Sequence, residues 1–422
     1  MLDFDAVLEA LDIPAYAEAV RPGWEDSEGS LPAELVFFLD AEWLAEACRA
    51  VSLSEDAVPA LRATARRVQG SPALQRLAWH YHHLLFKSTA DTRPDVFAWP
   101  TLENVLGDAA GTFYLLVALS GLQGAQAFHA ERGIPQQVRR DTYADAALWA
   151  HEWHEAHGVW GLERRIGRWL TNHFVGDLYR LGRLQFMQRP FRGRLRAFRH
   201  LRTGEVLAVA EDGVRFRSDG QIDGAGEVHD PEGAWTSSLR VTQEGVRGNP
   251  IHPGGYAVAT EVFLPGGEWQ AVLQQGDPML EMHIPKDGPM GFDACGESLR
   301  RALEFFPRYF PQRPFLGFCC TSWTLDTQLC DLLPASSNLV RFMREFYCYP
   351  ILTSGRQTFE RVFGGVPEDT HDLPRDTALR RALVEHLLAG GHTRSGGIFL
   401  LTEDLEWGTQ AYLTQPRSLL FA

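Results

Sequence analysis

The stretch PMLEMHIPKDGPMGFDACGESLRRALEFF, residues 278–306, changes grammar halfway along. Side chains on a strand alternate with period two. Met279, Glu281 and His283 therefore share one face, and Leu280, Met282 and Ile284 the other. Further on, Leu299, Ala302, Leu303, Phe306 and Phe310 recur at three- and four-residue spacing, which predicts a helix over 294–306 with Asp293 as its N-cap. The joint PKDGPMGF brings Lys286, Gly288 and Gly291 to the helix's free amides, an end that favours an anionic group such as pyrophosphate. Glu281 and His283 are neighbouring titratable groups on the more polar face, and an imidazole starts near pKa 6.5, so the pair suits general-base work. Two plainer readings stand beside these: the glycines only make a turn, and the pair is a satisfied polar patch beneath a helix.

Working outward, the chain continues in the same alternation. Strands are expected at 315–323, 347–352 and 397–401, and helices at 337–346 and 376–390. Upstream, LGRLQFM, RLRAFRHL, EVLAVA and VRFRS are short alternating segments separated by RTG and EDG, the pattern of hairpins. Hairpins feeding a β-α-β-α-β unit predict one mixed sheet with helices packed on it. The first ~175 residues are different. Segments 35–51, 72–86, 111–128 and 141–158 carry apolar residues at helical spacing, punctuated by Pro and Gly at 21–32 and 88–100. The expected class is α+β: an all-helical domain over 1–177, then a mixed sheet flanked by helices over 178–422.

The chain has 422 residues, is 45% hydrophobic and 22% charged, and carries a formal net charge of -14. That composition builds an ample core, and the acidic balance argues against nucleic acid as a partner. Six cysteines without CxxC spacing read as reduced, buried thiols, and the acidic N-terminus lacks a signal-peptide pattern. The apolar run 112–122 is too short to span a bilayer and reads as a core helix. A cytoplasmic protein with no membrane partner is expected.

Other constellations carry less chemistry. His151, His154 and His157 lie at i, i+3 and i+6, which spreads them around a helix, so no metal site is expected. Arg192, Arg194 and Arg196 share a strand face, either a solvated face or a dock for a coenzyme's 3'-phosphate or an acidic partner. Cys319 and Cys320 on a central strand behave as small hydrophobes. Trp323 and Asp326, in SWTLD at that strand's end, are placed to line a cleft, as a wall and as an anchor for an amine. Asp326 at the first turn of a helix is the alternative. Trp149, Trp153, Trp160 and Trp169 are expected as core or interface residues of a helical domain that shapes the acceptor site.

The order of elements resembles the core of the GNAT (general N-acetyltransferase) superfamily. The segments HIP, FFPRYFP, SWTLD, LLPASSNLVRF and DTALRRALVEHLLAGG resemble bacterial acyltransferase-domain proteins with a helical N-terminal domain and a GNAT-like C-terminal domain, over roughly 100–402. The resemblance implies an acyl-CoA co-substrate, most simply acetyl-CoA, no metal, and transfer to a small-molecule amine. It assigns the base to Glu281 or His283 and the thiolate's acid to Tyr347, with Tyr349 as the alternative. A backbone amide of the same strand holds the thioester carbonyl. Met282, Ile284, Lys286, Gly288, Gly291 and Asn338 are the implied coenzyme-binding residues, with Trp323 and Asp326 on the acceptor. PKDGPMG departs from the family's Q/R-x-x-G-x-G/A loop, and its proline removes an amide donor. A non-catalytic GNAT-fold ligand-binding or regulatory protein is the alternative reading.

Overall fold

The structure is a computed structural model describing residues 2–33, 36–87 and 95–415, so part of the expected break at 88–100 lies outside the described residues. The chain divides into two compact units. One is Met1–Leu181 with Pro285–Asp287, and the other Gly182–Ile284 with Gly288–Ala422.

The first unit is helical around one core. The helix Ala110–Leu119 is buried at every position, which explains its lack of a polar stripe. Where the periodicity predicts one helix over 111–128, the chain breaks at Ser120–Gly121, and a second helix, Leu122–Glu131, follows. Any Cβ at Gly121 would lie 2.3 Å from the Phe86 ring. The expected helix 35–51 starts later, at Ala41, because the Asp40 carboxylate accepts the amides of Glu42 and Trp43. The buried Asp145 carboxylate is paired: it accepts the indole N–H groups of Trp149 and Trp169 at 3.0 and 2.8 Å, with His173 Nε2 at 3.3 Å.

In the second unit five strands lie side by side: β1 (Leu184–Pro190), β2 (Pro278–His283), β3 (Gly317–Ser322), β4 (Tyr347–Pro350) and β5 (Gly396–Leu401). Their order is β1-β2-β3-β5-β4. Only β2 and β3 run parallel; β1 with β2, β3 with β5 and β4 with β5 are antiparallel. Two helices concern the site, α1 (Phe292–Tyr309) and α2 (Asn338–Arg344). Leu299, Ala302 and Phe306 are buried, as the apolar stripe of α1 requires. The architecture is α+β.

The hairpins do not all join this sheet. Leu195–His200, Val206–Ala210, Pro250–His252, Tyr256–Ala257 and Trp269–Leu273 form a separate antiparallel sheet. All five residues of Val206–Ala210 are buried, so this strand is covered on both faces and cannot be an extension of a half-solvated meander.

Tyr347 ties the two sheets together. Its ring stacks on Phe399 of β5 at 4.8 Å, and its hydroxyl accepts the Ala208 N–H at 3.0 Å while donating to the Ile251 carbonyl. Ala208 and Ile251 are a registered pair of the second sheet. This corrects the expectation that Tyr347 is the acid. Its proton is committed to the Ile251 carbonyl and its oxygen to the Ala208 N–H. Tyr347→Phe strands a buried donor and acceptor, so urea unfolding should show a loss of about 1–3 kcal/mol. A variant as stable as the parent would show that the hydroxyl does not join the sheets.

Candidate functional site

The site begins with a ladder that stops. β2 keeps six registered pairs with β1, from Pro278↔Pro190 to His283↔Gln185. With β3 it keeps two, Leu280↔Phe318 and Glu281↔Cys319. Past Glu281 no further pair between the two strands is registered. Directly registered residues share a face, so Glu281, Cys319, Phe399 and Tyr347 point one way, with His283, Thr321, Gly397 and Tyr349 one level further along. Met282 points to the opposite, buried face, and Ile284 just beyond the strand is half-buried.

The Glu281 and His283 side chains are 33% and 26% exposed, open enough for a ligand yet partly desolvated. Oε1 and Nε2 are 3.9 Å apart, close enough for charge to be felt between them. Burial raises the Glu281 carboxyl above its ordinary value, against the opposing pull of Arg189 and Arg192. A carboxylate moved toward neutrality is the change a general base needs.

Tyr349 completes the face. Its ring lies over Gly397, where any Cβ would come within 2.3 Å of it, so glycine lets the ring cross β5 toward β3. Phe191 packs against it edge-on at 5.8 Å. Burial pushes its phenol up, and the charges it feels are those of Cys319, Cys320 and Glu281. Among the described residues its hydroxyl has no hydrogen-bond partner, in contrast to Tyr347. The two cysteines are neutral thiols, Cys320 raised to about 12 by burial with Glu281 adding to it.

The coenzyme candidates are divided. Gly291 caps α1 with extended backbone, φ -60 and ψ 125. Asp293 sits in the first turn and does not cap, a correction that follows from the helix starting at Phe292. Arg183 holds the preceding loop by donating to the Gly288 and Pro289 carbonyls at 2.6 and 2.9 Å. Trp407 donates to the Phe292 carbonyl at 3.1 Å, its ring against Gly296 where only a hydrogen fits. Neither contact was legible in the sequence, since Arg183 and Trp407 lie over a hundred residues from their partners. Lys286 belongs to the first unit and sits 2.6 Å from the Glu152 carboxylate. Asn338 is exposed as the first residue of α2.

Trp323 is half-buried at the C-terminal end of β3, in the turn Trp323–Leu325. Asp326 is not open to an amine. It is buried, 3.1 Å from Arg394 Nε, and accepts the Gln328 amide at 3.1 Å. The pair neutralises the charge that an acceptor would need. His154 stacks on Trp160 just beyond the helix at 4.3 Å, and His157 bonds back to the Trp153 carbonyl at 2.9 Å, so both rings serve local packing.

A family model described as GNAT-like C-terminal domain matches residues 178–399. A second, described as N-acyltransferase N-terminal domain, matches residues 42–176. The chain belongs to the GNAT-like acyltransferase family, an N-acyltransferase N-terminal domain followed by a GNAT-like C-terminal one. Among solved structures, an acyltransferase in complex with decanoyl-CoA and teicoplanin is similar at a TM-score of 0.64 and 24% identity, with 95% of this chain and 99% of that chain covered. The same figures hold for a mutant acyltransferase with octanoyl-CoA. No curated protein sequence matches significantly.

The raised carboxyl has a stability signature. The folded chain holds the Glu281 proton more tightly than the unfolded chain, so that stabilisation is present in acid and fades as pH rises through the folded value. At neutral pH the ionised group is a burden, and Glu281→Gln should raise Tm at about pH 7–8, with the gain shrinking below about pH 4. Thermal melts across that range check it. A gain independent of pH would show that the carboxyl is not shifted.

Proposed function

We propose that the protein transfers an acyl group from acyl-CoA to the amine of a small molecule. The observation that carries this reading is the end of the registered β2–β3 pairing at Glu281/Cys319, with a raised carboxyl, an imidazole and a free phenol on one face there. In this reading the amine attacks the thioester carbon as Glu281 takes its proton, with His283 beside it. A backbone N–H of β2 holds the developing oxyanion. The C–S bond then breaks, and Tyr349 gives its proton to the thiolate, leaving an amide and free coenzyme. Gly288, Gly291 and the first turn of α1 would receive the pyrophosphate, with Asn338 nearby on α2. Lys286, paired with Glu152, contributes less charge there than its position in the loop implies.

The bound decanoyl-CoA, octanoyl-CoA and teicoplanin of the similar structures support an acyl-CoA donor and a small-molecule acceptor. Acetyl-CoA is the simplest donor and a cytoplasmic setting the natural one for such a co-substrate.

Acetyl-, octanoyl- and decanoyl-CoA tested in parallel by thermal shift and calorimetry decide the donor. At 100 times its dissociation constant a ligand should stabilise the fold by about 2.7 kcal/mol. Glu281→Gln and His283→Ala should each cut turnover by about 10² to 10⁴-fold while staying folded. Their double variant should lose little beyond the worse single. Tyr349→Phe should slow thiol release and Tyr347→Phe should not. No binding by any acyl-CoA, or wild-type turnover in both Glu281→Gln and His283→Ala, would sink this reading.

A further inference from the structure

The end of β2 away from the coenzyme loop is cationic. Arg189 is registered opposite Met279, so it shares the face of Glu281 as a diagonal neighbour. Just past β1 the chain adds Arg192 and Arg194, both exposed, and among the described residues neither has an ion-pair partner. Arg194 and Arg196 line a polar cavity of about 300 Å³ with Glu211, Gln274 and Gln275. The carboxylates here are engaged. Glu211 is 2.8 Å from Arg196 Nε, and Asp277 accepts the Gln274 amide at 2.8 Å. On a chain of net charge -14, two neighbouring exposed arginines without an ion-pair partner among the described residues stand out.

Position decides what it serves. From Met279 to the loop starting at Pro285 is six residues, about 20 Å of extended chain. A coenzyme with its pyrophosphate at α1 therefore has no phosphate at this end, which removes the 3'-phosphate reading of these arginines. Glu281 lies between, about 7 Å from the level of Arg189. Phe191 fixes the turn that presents Arg192, its ring against Tyr349 and Phe399. Arg192 is also close enough to act on the Glu281 charge.

We infer that the acyl acceptor carries a carboxylate, which Arg192 and Arg194 receive while its amine lies at Glu281. This names the acceptor class of the reaction proposed above and rests on that reading for the role of Glu281. Along β2 the cationic end begins at the level of Arg189, about 7 Å from that of Glu281. Phe191 against Tyr349 turns Arg192 onto the same face, which sets the scale of separation between the acceptor's amine and its carboxylate. Guanidinium recognises the planar carboxylate by paired donors.

The probes are 6-aminohexanoate and 6-aminohexanamide, which share an amine and differ in one charge. Binding of each to the full chain is measured by calorimetry with and without coenzyme A. The carboxylate should bind about tenfold tighter, and R192Q/R194Q should abolish that preference while leaving the amide unchanged. Both residues are exposed, and a thermal melt confirms that the double variant folds. Arg196→Gln, whose arginine is taken by Glu211, should keep the preference. Equal affinity for the two probes, binding of neither, or a double variant that weakens coenzyme A while sparing the preference would each overturn the inference. Should acyl-CoA fail to bind while the preference persists, the acyltransfer reading falls and the carboxylate site stands.

Discussion

Everything proposed for this protein depends on two hydrogen-bonded strands that stay together for only two registered pairs. A full parallel ladder between β2 and β3 would tie up every backbone group at the centre of the sheet. It stops at Glu281/Cys319 instead, while β1 stays paired with β2 along its whole length. One side of β2 is thus held along the strand, and the other is registered with β3 only at Leu280 and Glu281. A thioester carbonyl needs a backbone donor, fixed in advance and sheltered from bulk water. Where that pairing ends, Glu281 and His283 sit at a place that is neither core nor open surface.

The two tyrosines of β4 show how level along a strand separates structural work from chemistry. Tyr347 and Tyr349 share a face and differ by one step of the alternation. At the level of Tyr347 the second sheet comes close enough for Ala208 and Ile251 to take up the hydroxyl. At the level of Tyr349, β5 contributes Gly397 and no side chain, so the ring crosses the strand toward Glu281. A residue with a side chain at 397 would close that route. The stability of the sheet pair and the freedom of the phenol are thus set by neighbours far away in the chain.

Part of the site was legible from local pattern. The alternation through 279–284 set the Glu281 and His283 face, and the glycine-bearing joint marked the helix start within two residues. Residues whose role rests on distant partners were not. Asp326 looks like an amine anchor until Arg394 arrives from 68 positions on. Lys286 looks like a phosphate contact until Glu152 meets it. The hairpin segments announced strands, yet nothing local says which sheet a strand will join, because pairing is settled by which faces can be buried together.

By itself the sequence determined the class of each element and the chemistry each strand face could offer, because period two and period 3.6 are backbone properties that act within a few residues. Only the tertiary structure decided which of those groups stay available. Where the β2–β3 ladder ends, which tyrosine keeps its proton free and which arginines remain unpaired are outcomes of packing among segments tens to hundreds of residues apart. Burial and pairing change a side chain's charge and reach far more than its identity does, and burial exists only once the chain has folded.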